Sequence, residues 1–253
     1  MRFGVCIGGD IPHISIAKEC GFDYVESSFG LLAADPKEKF DAFCEELKKN
    51  EITCESVNCF LPGNLNVVGE NVDLDAVAAY VKKGMENGEK MGVKTVVFGS
   101  GGARRIPDGF PYEQAIRQLR TFLKQVAAPL AAAHGIMIVM EPLNDANSIK
   151  TVKEGAILAA LADEPNVACL IDLYHMFKVG DTVEDILQLK GFLKHAHFAE
   201  PTKRAYPTFE DAYDYRPFIR ALEEVGCPRC SLEAGCKNFS QEAKIAAMVM
   251  KQI

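Results

Sequence analysis

The sequence predicts a single-domain (β/α)8 barrel, the TIM fold. Three observations lead there. The chain has 253 residues, the usual size of one such barrel. Short runs rich in β-branched residues alternate with longer amphipathic stretches, as βα units around a parallel sheet require. An open doubly wound sheet would show the same alternation, but it usually carries a Gly-rich phosphate loop after its first strand. Here Gly8-Gly9-Asp10 follows that strand without a GxGxxG.

Strands are expected at 3–7, 23–26, 53–57, 94–98, 136–141, 167–172, 193–198 and 229–233, enough to close a barrel. Between them the period is helical. Phe40, Cys44 and Leu47 share one face, and so do Ile116, Leu119, Leu123, Val126 and Leu130. Gly135 stands where a glycine ends a helix. Thr182, with Asp185 three residues on, reads as an N-terminal capping signal. The longest irregular stretches, 62–73 and 99–111, follow the third and fourth strands. They are expected on the catalytic face as substrate-covering loops. No linker, low-complexity segment or internal repeat divides the chain.

Composition narrows the function classes. At 48% hydrophobic residues the chain can bury a large core, and no apolar run approaches the ~20 residues of a membrane span. Met1 to Ile7 reads as a first strand rather than a leader, so the expected location is the cytosol and no membrane partner is expected. A net charge of −7 without a Lys/Arg cluster weighs against a nucleic-acid partner. The nine cysteines are scattered and odd in number, and they read as reduced thiols. Cys227 and Cys230, with Cys236 nearby, lack the second pair that a zinc ribbon needs.

Four late strands end in a possible metal ligand: the fifth in Glu141, the sixth in Asp172, the seventh in His197 and the eighth in Glu233. Taken singly, each has an ordinary explanation. Glu141 or Asp172 could cap a helix, His197 could be a hydrogen-bonded core imidazole, and Glu233 could pair with a Lys or Arg. Together they put three carboxylates and one imidazole at the C-terminal face, where TIM-barrel active sites are built. Like charges so placed repel, and a divalent cation removes that cost. The oxygen-rich set suits one Mn²⁺ first, with Mg²⁺, Co²⁺ or Zn²⁺ as alternatives. His175, Glu200, Arg204 and Asn144 lie where the loops leave these strands and are expected to bind substrate. His195 shares a face with His197 one layer deeper, which points to a supporting role.

These motifs resemble the sugar phosphate isomerase/epimerase family, the xylose isomerase-like TIM barrels. Gly21-Phe22-Asp23-Tyr24-Val25-Glu26 is similar to its second-strand signature, and Glu141-Pro142-Leu143-Asn144 to its fifth-strand motif. Asp172-Leu173-Tyr174-His175 and His197-Phe198-Ala199-Glu200 resemble its next two. The likeness spans nearly the whole chain in the same order. It implies a metal held by Glu141, Asp172, His197 and Glu233, as in ketose 3-epimerases; barrels of this kind often form homodimers, and the sequence leaves the assembly open. Two features depart from those epimerases. Asn147 stands where they usually carry another Glu, and the chain has no Trp.

The implied reaction is proton transfer on a sugar-like keto compound through a metal-stabilised enediolate, with Glu141 and Glu233 as the catalytic pair. Return of the proton to the opposite face gives epimerisation, and return to the neighbouring carbon gives isomerisation. Loss of a β-hydroxyl makes the enzyme a dehydratase or lyase, such as a keto-inositol dehydratase or a 3-keto-glycoside-cleaving enzyme. A multi-zinc nuclease of the same fold would need more histidines than the five present. A non-catalytic binding barrel would be expected to have lost a ligand.

Overall fold

The computed structural model describes residues 1–253. Eight parallel strands close into a barrel in sequence order: β1 (Arg2–Cys6), β2 (Tyr24–Ser28), β3 (Thr53–Asn58), β4 (Thr95–Phe98), β5 (Met137–Met140), β6 (Val167–Asp172), β7 (Leu193–Phe198) and β8 (Arg229–Leu232). β8 pairs with β1, which leaves no free edge. Every expected strand is present, with the bounds of β6 and β7 as expected and the others within two residues. Glu141 and Glu233 fall just past β5 and β8, yet each backbone N–H still donates to the neighbouring strand, at Phe98 O (3.2 Å) and Phe198 O (3.0 Å). Both carboxylates therefore start from a fixed backbone.

The helices are α1 (Pro12–Cys20), α2 (Phe29–Ala33), α3 (Lys37–Lys49), α4 (Leu74–Met91), α5 (Tyr112–Phe122), α6 (Ala128–Ala132), α7 (Val152–Ala162), α8 (Leu173–Val179), α9 (Val183–Leu187), α10 (Arg216–Glu224) and α11 (Phe239–Met250). None is long and apolar enough to cross a membrane. The expected continuous helix through Leu123 and Val126 instead contains a π-helical turn, Leu123–Ala127, between α5 and α6. Pro129 supplies the reason. It has no N–H to return to the carbonyl four residues back, and its ring crowds that carbonyl. The helix widens, and Ala128 N–H reaches Leu123 O, five residues back. The Thr182 cap forms as expected: Asp185 Oδ2 accepts from both Thr182 N (2.8 Å) and Thr182 Oγ1 (2.9 Å).

Most of the hydrophobic core lies between strands and helices, in one cluster of 71 residues. A second cluster, Val97, Val139, Ala168 and Leu170, comes from β4, β5 and β6 alone. β2, β3, β7 and β8 carry buried side chains with polar groups: Tyr24 and Glu26, Ser56, His195 and His197, and Ser231. One half of the barrel is thus apolar and the other half polar. Gly4 makes room for this arrangement, since a Cβ there would overlap the Tyr24 ring.

Loops 62–73 and 99–111 both lie on the C-terminal face and are laced together. Val67 N–H donates to Ala103 O (2.9 Å), and Leu61 N–H to Ser100 Oγ (2.9 Å). Asn147 ties the β5 loop to the same group, its amide bonding both ways to the Ile106 backbone (3.0 and 2.8 Å).

Candidate metal centre

Four side chains from β5 to β8 meet at the barrel mouth. Glu141, Asp172, His197 and Glu233 each offer one ligand atom, and these atoms all lie within 4.8 Å of one another. His197 Nδ1 is the hub, at 3.1 Å from Glu141 Oε1, 3.1 Å from Glu233 Oε2 and 4.0 Å from Asp172 Oδ2. Asp172 divides its two oxygens. Oδ1 caps α8, accepting from Tyr174 N (2.7 Å), while Oδ2 faces the cluster. The cap and the cluster position are therefore compatible on one side chain. Glu233 divides likewise: Oε1 accepts from Asn58 Nδ2 (2.9 Å), and Oε2 turns to His197.

Arg204 closes the cluster on one side. Its Nη2 donates to Glu233 Oε2 (2.6 Å) and Asp172 Oδ2 (3.2 Å), and its Nη1 approaches His175 Nε2 (3.2 Å). Since Nε2 accepts, His175 carries its proton on Nδ1 and donates it to Asn144 Oδ1 (2.5 Å). His175, Arg204 and Asn144 thus form one chain beside the centre. Glu200 is not brought to the centre. Its carboxylate accepts from Thr202 N, Thr202 Oγ1 (2.7 Å) and Lys203 N (2.7 Å) in its own turn. That turn presents Arg204, whose backbone is held in the left-handed region at φ +53°.

Burial and mutual repulsion set the electrostatics. Burial raises Asp172 to about 7, with the Glu233 and Glu141 charges adding to it. Burial also raises Glu141, against the hydrogen bond and charge of His197. Glu233 is buried too, but His197 and Arg204 outweigh this and hold it at about 2. Burial opposes charge on His197, yet Glu233 and Glu26 raise it well above the usual imidazole value. The cluster therefore draws positive charge to its middle. Three carboxylates and an imidazole converging within 4.8 Å fit a divalent cation of the oxygen-preferring class.

Three contributors went unassigned in the sequence. Glu26, on β2, accepts from His197 Nε2 (2.9 Å) behind the hub. It ends an expected strand, as the four cluster residues do, so the same rule would have found it. Asn58 follows the expected third strand by one residue. Arg104 had no signal, because an arginine beside Arg105 in a loop reads as surface. It is fully buried, donating to Gly99 O, Ser148 Oγ (2.8 Å), Ile149 O (3.3 Å) and Glu141 O (2.9 Å). Burial lowers its pKa to about 10, with the Glu141 charge opposing.

A cleft of about 360 Å³ opens beside the centre, lined in part by Gly102, Arg105, Asp145, Asn147, His175 and Arg204. The Glu141 carboxylate packs directly against Gly99. A Cβ at that position would land on Glu141 Oε2 and also approach Leu143. Gly99→Ala is expected to displace the Glu141 carboxylate, lowering turnover at least tenfold and stability by about 1–3 kcal/mol. Steady-state rates and thermal unfolding check both, and a variant matching the wild type in each would contradict the placement of Glu141.

The chain matches the xylose isomerase-like TIM barrel family over residues 14–252. It belongs to that family. Solved structures add the fold in full. D-psicose 3-epimerase with D-tagatose, from Clostridium cellulolyticum H10, is 18% identical with a TM-score of 0.84, covering 100% of this chain and 99% of that one. The 3-keto-D-glucoside 4-epimerase of E. coli, in its apo form, is 17% identical with a TM-score of 0.84 over 100% of both chains. The IOLI protein with a binding zinc atom is 18% identical with a TM-score of 0.71, covering 100% of this chain and 96% of that one. No curated protein matches the chain.

Proposed function

We propose that this member of the xylose isomerase-like family is a divalent-ion-dependent isomerase or epimerase that transfers a proton on a sugar-like keto compound. One observation carries the reading. Glu141 and Glu233, from strands three places apart around the ring, both stand 3.1 Å from the same imidazole nitrogen. On this reading the two carboxylates reach a substrate bound at the centre from different strands. An ion held by Glu141, Asp172, His197 and Glu233 would supply Lewis-acid polarisation of the substrate's carbonyl and adjacent hydroxyl oxygens.

The chain's own groups do the rest. One of Glu141 and Glu233 removes the proton next to the carbonyl, and the other returns one. Return to the opposite face gives an epimer, and return to the neighbouring carbon gives an isomer. Arg204 and His175 line the cleft and can hold substrate oxygens. Asn147, tied to the Ile106 backbone, adds no carboxylate there. The two epimerases of similar fold support a carbonyl-bearing sugar as the substrate class, and the zinc atom in the IOLI structure supports an ion.

The test is an activity screen over ketoses, keto-inositols and 3-keto-glycosides before and after chelation. Chelation is expected to abolish activity, and Mn²⁺, Co²⁺ or Mg²⁺ to restore it. Full activity in ion-free protein would contradict the proposal, and a cleaved or dehydrated product would move it to the lyase class.

A further inference from the structure

We infer that Glu26 is a positioning residue of the ion site, which assigns the proton of His197 to Nε2 and so leaves Nδ1 free to bind the ion. The inference rests on the ion site proposed above. Glu26 is fully buried in the polar half of the barrel, below the cluster. A buried carboxylate is costly unless donors surround it, and three do. Oε1 accepts from His197 Nε2 (2.9 Å), while Oε2 accepts from His195 Nε2 (2.8 Å) and Ser231 Oγ (2.6 Å).

The proton positions then follow one from another. Ser231 gives its hydrogen to Glu26, so Tyr24 Oη donates to Ser231 Oγ (2.8 Å). His195 gives its Nε2–H to Glu26, and its Nδ1 is buried without a hydrogen-bond partner, the unprotonated nitrogen of that tautomer. His197 gives its Nε2–H to the same carboxylate. An imidazole that binds an ion has one N–H, so with Nε2–H held by Glu26 it is Nδ1 that gives up its proton and turns a lone pair to an ion held among Glu141, Asp172 and Glu233. Without an acceptor behind Nε2, the proton could sit on Nδ1 and block ligation. The network spans β2, β7 and β8 and fixes the ring plane as well as the tautomer. Partners of this kind typically change ion affinity by about 10- to 100-fold.

The test compares Mn²⁺ binding and turnover in the wild type, Glu26→Gln and Ser231→Ala. Gln keeps the volume but turns an NH₂ toward N–H and O–H donors. Glu26→Gln is expected to bind Mn²⁺ about 10- to 100-fold more weakly, with turnover at saturating Mn²⁺ within a few-fold of the wild type. Ser231→Ala removes one bond to Glu26 and leaves the His197 bond. It is expected to lower the unfolding temperature while Mn²⁺ affinity stays within about twofold. Wild-type affinity in folded Glu26→Gln would overturn the inference. So would an equal loss in Ser231→Ala, which would reduce the effect to packing.

Should Glu26→Gln fail to fold, nitrogen NMR of His197 in the zinc-loaded wild type decides instead. Protonated Nε2 with ion-bound Nδ1 is expected, and the reverse assignment overturns the inference. A wild type that binds no ion overturns the ion site itself and this inference with it. An ion-binding wild type alongside an equally tight Glu26→Gln overturns this inference alone.

Discussion

Glu233→Gln, assayed with the ion saturating, is expected to fold and to lose about 10²–10⁴ in turnover, the usual contribution of a general acid or base. Gln keeps the shape and one oxygen toward Asn58 Nδ2, so the β8 end should hold. It cannot accept a proton at neutral pH. It also removes the charge that Arg204 meets at 2.6 Å and His197 at 3.1 Å, which is why the ion must be saturating. Solvent exchange then separates the roles. If the substrate still exchanges its proton in D₂O while net turnover stops, Glu233 returns the proton and Glu141 removes it. If both stop, Glu233 removes it or acts chiefly on the ion. Wild-type turnover would mean that the carboxylate pair is not the catalytic machinery.

Arg104→Ala is expected to be the most destabilising single change. Four acceptors lose their donor: the carbonyls of Gly99, Glu141 and Ile149, and Ser148 Oγ. A buried group left unsatisfied costs about 1 kcal/mol or more, and the space left by the guanidinium adds a cavity cost. A loss of about 4 kcal/mol corresponds to a fall of about 8–16 °C in unfolding temperature for a chain of this size. Because Glu141 and Gly99 lose support together, activity below the transition should fall too. Calorimetry showing a shift of under ~2 °C would mean that Arg104 does not hold the β4 and β5 loops together.

The barrel was legible because its signals are periodic and local. Each strand is a short run of four to six residues rich in β-branched or apolar side chains, and pleating sends alternate side chains inward. The cluster was legible for the same reason, since a ligand at the end of each of four successive strands is a pattern in one dimension. What escaped depends on contacts distant in sequence. Glu26 ends its expected strand as the cluster residues do, but its partner His197 lies 171 residues away, so the strand-end rule could flag the carboxylate and not the pairing. Arg104 is buried by loops after two different strands, and nothing in its neighbours marks that. Glu200 carried the right spacing after His197, but Thr202 and Lys203 offer its carboxylate nearer donors in its own turn. The π-helical turn was concealed because an apolar face looks alike at either helical pitch, and Pro129 is the only local mark of it.

Glu141, Asp172, His197 and Glu233 are proposed to hold one divalent ion as a unit. Equilibrium dialysis of the purified chain against Mn²⁺, beside Asp172→Ala and His197→Ala, tests it most directly. One ion per chain is expected in the wild type and none at the same free Mn²⁺ in either variant, with both variants still folded by circular dichroism. Several ions per chain, no ion, or undiminished binding in the two variants would contradict it.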